Sequence, residues 1–161
     1  MGSTWDPPMV PQVEQEVKTH VSKVSAHCIA SVEKELVAND IGAAFDSLDT
    51  LKPWWDHLKD DGAVSVQLVG IFSKVHTVAS QEFAAATKAN DTETAEAIRE
   101  FARKFDVLRT SFDGLPPPTE AESKGLVAKL AADEAVLNFD KLIKVLKAEI
   151  AKPVSDDKSL A

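Results

Sequence analysis

A single cysteine, no tyrosine and only six glycines occur in 161 residues, and each shortage closes a class of structure. With Cys28 alone no intramolecular disulfide forms, which suits a reducing compartment and leaves packing to hold the fold. Scarce glycine disfavours barrels and sandwiches, which need frequent tight turns. Basic charge is also short: 18 Lys and Arg against 26 Asp and Glu leave a net charge of −8. A surface of that sign repels phosphate backbones and anionic headgroups, so nucleic acid and electrostatic membrane docking are not expected. No apolar run approaches the ~18 residues that suggest a membrane span. The opening "MGSTWDPPMVPQ" lacks the basic and apolar stretches of a secretory leader, and the expected location is cytoplasmic. Secretion stays open only if Met1-Gly2-Ser3 replaces a removed leader. Asp6 stands where a myristoylation motif takes Ser or Thr, so Gly2 is not expected to carry a lipid.

The motifs of common chemistry are missing as well. There is no glycine-rich phosphate loop, no Gly-x-Ser-x-Gly and no His-Glu-x-x-His, hence no phosphate cradle, nucleophile elbow or zinc helix. No glutamate is followed by histidine three residues later, and a di-iron bundle needs such pairs. "DHLKDDG" has neither the acidic spacing nor the closing glutamate of a calcium loop. No catalytic residue, metal or cofactor is therefore expected.

What is present is helical periodicity. Val13, Val17, Val21, Val24, Cys28, Val32 and Leu36 recur at three- and four-residue spacing, the apolar stripe of a helix starting near Val10. Ala38-Asn39-Asp40 closes it, with Asp40 placed to cap the next segment. That segment carries Ile41, Ala44, Phe45, Leu48 and Leu51 before Pro53, which predicts a break near Lys52. Asp60-Asp61-Gly62 reads as a stop with Gly62 as a left-handed cap. A third helix spans 63–89, apolar around most of its circumference and so expected at the centre. Asn90 with Glu93 resembles a capping box, as well as forming the glycosylation sequon Asn90-Asp91-Thr92. Ile98, Phe101, Phe105, Leu108 and Phe112 then repeat at 3, 4, 3, 4, the spacing of a coiled-coil seam. "GLPPPTEAE" reads as a rigid connector, and Thr119 with Glu122 starts a last helix reaching about Lys152. Its apolar positions drift from Leu126, Leu130 and Leu137 to Leu142, Leu146 and Ile150, which predicts different neighbours along its length. The expected fold is all-α: an antiparallel bundle of four long helices with a short additional helical segment between the first and third. It occupies 10–152, after an N-terminal extension (1–9) and before a frayed tail (153–161).

Candidate sites are few. "LKPWWDHLKDDG" (51–62) sets two tryptophans directly after a proline. Adjacent helical residues diverge, so Trp54, with Leu58 one turn on, is expected inward and Trp55 partly outward. Trp54, Trp55, His57 and Leu58 form the candidate ligand or partner site, tryptophan being enriched at interfaces. His20, His27 and His76 are candidate pH-sensitive polar sites. His20 and His27 lie two turns apart, ~10 Å along a helix and too far to share a metal. Cys28 falls on an apolar stripe, where cysteine behaves as a small hydrophobe. These features favour a non-enzymatic interaction module acting through its surface (adaptor, effector or oligomerising protein), with a protein partner and room for homo-oligomers. The alternative is a carrier holding an apolar small molecule or lipid between helices near Trp54 and Trp55.

Overall fold

The computed structural model describes residues 9–115 and 124–152, all of it helix and short connections with no strand among the described residues. Helix α1 spans Met9–Val37, α2 Ile41–Leu51, α3 Trp55–Leu58, α4 Gly62–Lys88, α5 Thr92–Thr110 and α6 Leu126–Ala151. Most of the N-terminal extension, the C-terminal tail, and Thr119 with Glu122 lie outside the described residues.

Asp40 caps α2 as its sequence position suggests, its Oδ1 accepting from the Ala43 N–H at 3.0 Å. Asn39, at φ 59°, takes the left-handed conformation that asparagine tolerates, so three residues suffice to reverse the chain. Helices α1 and α2 then run antiparallel. The Ser47 hydroxyl bonds the Glu35 carboxylate at 3.0 Å, and the Cys28 thiol donates to the Ser47 carbonyl at 2.8 Å.

Pro53 tightens the helical path without breaking it. Residues Lys52–Trp54 form one 3-10 turn, where proline's missing N–H costs nothing because a first turn has no partner for it. The backbone stays right-handed helical from Leu51 through Trp55. The apolar stripe therefore continues across the proline as Leu48, Leu51, Trp55 and Leu58, all buried. This reverses the expected orientation of the tryptophans: Trp55 is 3% exposed, while Trp54 is half-buried at the surface.

Two further caps differ from expectation. Gly62 is the first residue of α4 rather than a left-handed stop, because Asp61 caps that helix through Oδ1, accepting from Ala63 N at 3.0 Å and Val64 N at 3.4 Å. Before α5 the capping residue is Asp91, not Asn90. Its carboxylate accepts from the Thr94 N–H at 3.0 Å and the Thr94 hydroxyl at 2.6 Å. Those bonds, the hydroxyl first, lower the Asp91 pKa. Asn90, at φ 57°, makes the left-handed turn out of α4.

Helix α4 is long and apolar enough to cross a membrane by length and composition, contrary to the reading of its sequence. In this fold it is the core helix, burying Leu68, Ile71, Phe72, Val75, His76, Ala79 and Phe83, with Val66 left on the outer side. Against it lies the α5 seam, in which Ile98, Phe105, Leu108 and Phe112 are buried and Phe101 is partly so. Phe72 meets Phe105 edge-on at 5.7 Å and Phe112 at 5.6 Å between ring centroids, and Phe112 meets Trp55 at 5.5 Å. Arg109 covers the Phe72 ring at 5.4 Å, a cation–π contact closing the cluster from outside. Because Phe105 has no exposed surface, Phe105→Ala should lower unfolding free energy by about 3–5 kcal/mol in urea melts. A loss below about 1 kcal/mol would mean that this seam is not the core.

Candidate functional site

Helix α6 starts on a cap supplied from another helix. Asp106 of α5 accepts from Leu126 N at 2.7 Å and from Val127 N at 3.0 Å, satisfying two of the four donors a helix start leaves open. Its place before α6 is cleared by Gly125, which has φ 96° and whose added Cβ would lie 2.9 Å from Asp106 Oδ2. From this start α6 climbs antiparallel to α5. Leu126 and Leu130 are buried, and eight residues past Leu126 Glu134 meets Arg99 at 2.6 Å. Arg99 also bonds Glu96 at 2.9 Å and covers the Phe83 ring at 5.2 Å. Glu134 and then Glu96 hold its guanidinium still more firmly protonated than usual. At the level of Asn138 and Lys141 the helix passes the α4–α5 turn, sharing a small cleft with Asn90 and Asp91. From Leu142 to Ala151 it runs on for about 15 Å more.

Along this second half most apolar side chains point away from the bundle, Leu137 and Ile143 being partly buried. Val136, Phe139, Leu142, Val145, Leu146 and Ile150 are between 46% and 83% exposed. The row Val136, Phe139, Ile143, Leu146 and Ile150, in which Ile143 is partly buried, is centred roughly 140° around the axis from the face that Leu126, Leu130 and Leu137 turn to α4 and α5. The drift visible in the sequence is thus two distinct faces, of which only the first is covered by described residues. A contiguous exposed apolar patch on a folded chain marks a contact site, and this is the candidate functional site. In the sequence Leu142, Leu146 and Ile150 show only as a drift of the apolar stripe, not as a site. The available signal was the 3, 4, 3, 4 spacing of Val136, Phe139, Ile143, Leu146 and Ile150.

The sites expected from sequence are dispersed. Trp55 is consumed by the core: its ring packs on Phe112, and its indole N–H donates to the Asp113 carbonyl and to Asp113 Oδ1, both at 3.1 Å. Leu58 is buried beside it. Trp54, His20 and His57 do come together at the surface, with the Trp54 ring 5.8 Å from His20 and 6.5 Å from His57. His27 is exposed on another part of α1. His76 is 3% exposed and sits edge-on to Phe105 at 5.8 Å. Only His20 and His57 are brought near each other, on either side of Trp54, and no group of three His, Cys, Asp or Glu able to hold a metal occurs among the described residues.

Two clefts bear on chemistry. One, of about 460 Å³ between α1 and α2, brings His27, Cys28, Asp46, Ser47 and Thr50 together. Burial pushes the Cys28 thiol pKa up despite a partly opposing contact with Thr50, so the thiolate a nucleophile requires is disfavoured. The other, of about 320 Å³ between α2 and α5, has Phe45, Val107 and Leu108 beside Lys52, Arg103 and Lys104. It is a shallow surface groove with no buried polar group directed into it. No protein-family model, curated protein or solved structure matches this chain.

Two outcomes follow from this geometry. Gly125→Ala forces a strained backbone and a collision with the Asp106 cap, so it should destabilise the protein by about 1–3 kcal/mol. Amide exchange should show the loss concentrated at the start of α6, whereas uniform loosening would mean that the cap is not local. Cys28, held as a neutral thiol, should alkylate with iodoacetamide at pH 8 at least tenfold more slowly in the native than in the unfolded protein. Equal rates would contradict its burial.

Proposed function

We propose that this chain is a non-enzymatic interaction module that works through its surface, with the outward apolar face of α6 as its contact. Its architecture is read as an antiparallel bundle of four long helices, α1, α4, α5 and α6, with the α2–α3 limb between the first and second of these. The observation that carries the proposal is the row of apolar side chains on a helix already fixed at its other end. Burying a valine, leucine or phenylalanine is worth about 1.5–3 kcal/mol each, a gain that the described residues leave unrealised along half of α6. Such a face is prearranged for a partner, because the helix need not be ordered at the moment of contact.

The alternative, a carrier for an apolar small molecule or lipid between helices near Trp54 and Trp55, draws less support from the tryptophan pair. The Trp55 ring has its neighbours in Phe112 and its polar edge in Asp113. Catalysis draws no support from the α1–α2 cleft, where burial pushes the Cys28 thiol pKa up and so disfavours its thiolate.

The experiment is the double variant Phe139→Ser, Leu146→Ser. It should abolish the protein's association with any partner, a second copy included. Thermal unfolding in dilute solution should stay close to the wild type, because exposed positions cost about 0.5 kcal/mol or less. Undiminished association, or a collapse of stability typical of a core substitution, would overturn the reading.

A further inference from the structure

Resting on that reading, we propose that the partner of the α6 face is a second copy of the same chain, paired helix against helix in antiparallel sense about a two-fold axis beside residues 144 and 145. Val136, Phe139, Ile143, Leu146 and Ile150 follow the a, d, a, d, a spacing of a coiled-coil seam. The positions flanking that seam decide the occupant. Asp140 and Lys147 each follow a d residue, which places them at the e positions where antiparallel helices meet e against e. When Ile143 packs on the partner's Leu146 and Phe139 on the partner's Ile150, Asp140 faces the partner's Lys147, and the two-fold repeats the pair. Sliding by one heptad in one direction sets Asp140 against Asp140, and in the other Lys147 against Lys147. A parallel pair instead sets Leu142 beside Lys147 and Ala135 beside Asp140, with no opposite charges matched. The charges therefore select one orientation and one register. Both side chains are exposed, and neither takes part in an ion pair among the described residues.

The geometry leaves room for this pairing. Val136, Phe139, Leu146 and Ile150 are exposed and Ile143 is partly buried between them, so a second helix reaches the seam without displacing the bundle. Lys141 and Lys144 sit off the seam and keep their charges in water. Four apolar layers, flanked by Leu142, make a small interface, and small interfaces are weak and reversible. We expect a dissociation constant on the order of 10 μM.

The test is sedimentation velocity from about 5 to about 200 μM, either side of that constant. The wild type should pass from monomer to dimer, and Ile143→Asp should remain monomeric throughout. Lys147→Asp, which sets aspartate against aspartate twice, should weaken the dimer at least tenfold. Combining it with Asp140→Lys should restore the dimer, a recovery that simple loss of apolar surface does not produce. A wild type still monomeric at the top of the range overturns the pairing, as does a dimer indifferent to Lys147→Asp or a charge exchange without recovery. Binding of the monomer to phosphatidylglycerol vesicles with no dimer in solution overturns it in favour of a lipid surface. If the wild type stays monomeric while Phe139→Ser, Leu146→Ser still abolishes capture of another protein, self-pairing falls and the interaction module stands.

Discussion

The ring of Phe72 is the contact on which the separate helices depend. It lies on α4, one edge-on neighbour is Phe105 in the middle of α5, and another is Phe112 just beyond that helix. Through Phe112 the contact continues to Trp55 on the α2–α3 limb. Edge-to-face rings add about 0.5–1.5 kcal/mol per pair beyond their burial, and they fix relative orientation as well as distance. Two helices and a limb are thus locked at one level of the molecule. The Trp55 N–H on Asp113 anchors the same level to the chain after α5. The arrangement explains why a limb of two short helices is held firmly between α1 and α4: its buried Trp55 is the last link of this aromatic chain.

Apolar spacing made the helices legible, and local chemistry blurred their ends. The valine stripe of α1 and the phenylalanine seam of α5 are long, and a period sustained over several turns has only one secondary-structure reading. Reading Pro53 as a break restarts the count of faces and puts Trp54 rather than Trp55 inside. Counting through it, Leu48, Leu51, Trp55 and Leu58 form one continuous stripe, and Trp55 falls inside. The cap before α5 lies one residue beyond the expected Asn90 for a related reason. Asparagine and aspartate both suit a helix start, but Asn90 is the residue able to take the left-handed turn that ends α4, leaving Asp91 to cap.

The start of α6 was out of reach from sequence. Its cap comes from Asp106, twenty residues earlier on a different helix, and no local pattern announces a bond of that kind. Gly125 gives only half of the signal, a backbone with positive φ. The missing half is the carboxylate brought against it by the packing of α5. The candidate site was visible in one respect, since a helix whose apolar side rotates along its length must have two sets of neighbours. That the second set is not supplied by the described part of the chain is a fact of the fold and cannot be read from periodicity.

A helix of about 12 residues alone in water is marginal, because nucleation is costly and few bonds follow. The second half of α6 escapes that limit by propagating from a first half held by Leu126, Leu130, the Asp106 cap and the Arg99–Glu134 bridge. The anchor and the apolar face therefore belong to one device: α4 and α5 supply the nucleation, and the free end supplies the contact. Charge follows the same division. The chain is acidic as a whole, yet from Val136 to Lys152 it carries four lysines against Asp140 and Glu149. An acidic body with a locally basic, apolar-faced arm reduces long-range repulsion where contact is made and keeps it elsewhere. Loss of Arg99 or of the Asp106 cap would act on the face from a distance, by letting the start of α6 fray and with it the register of every side chain beyond Glu134.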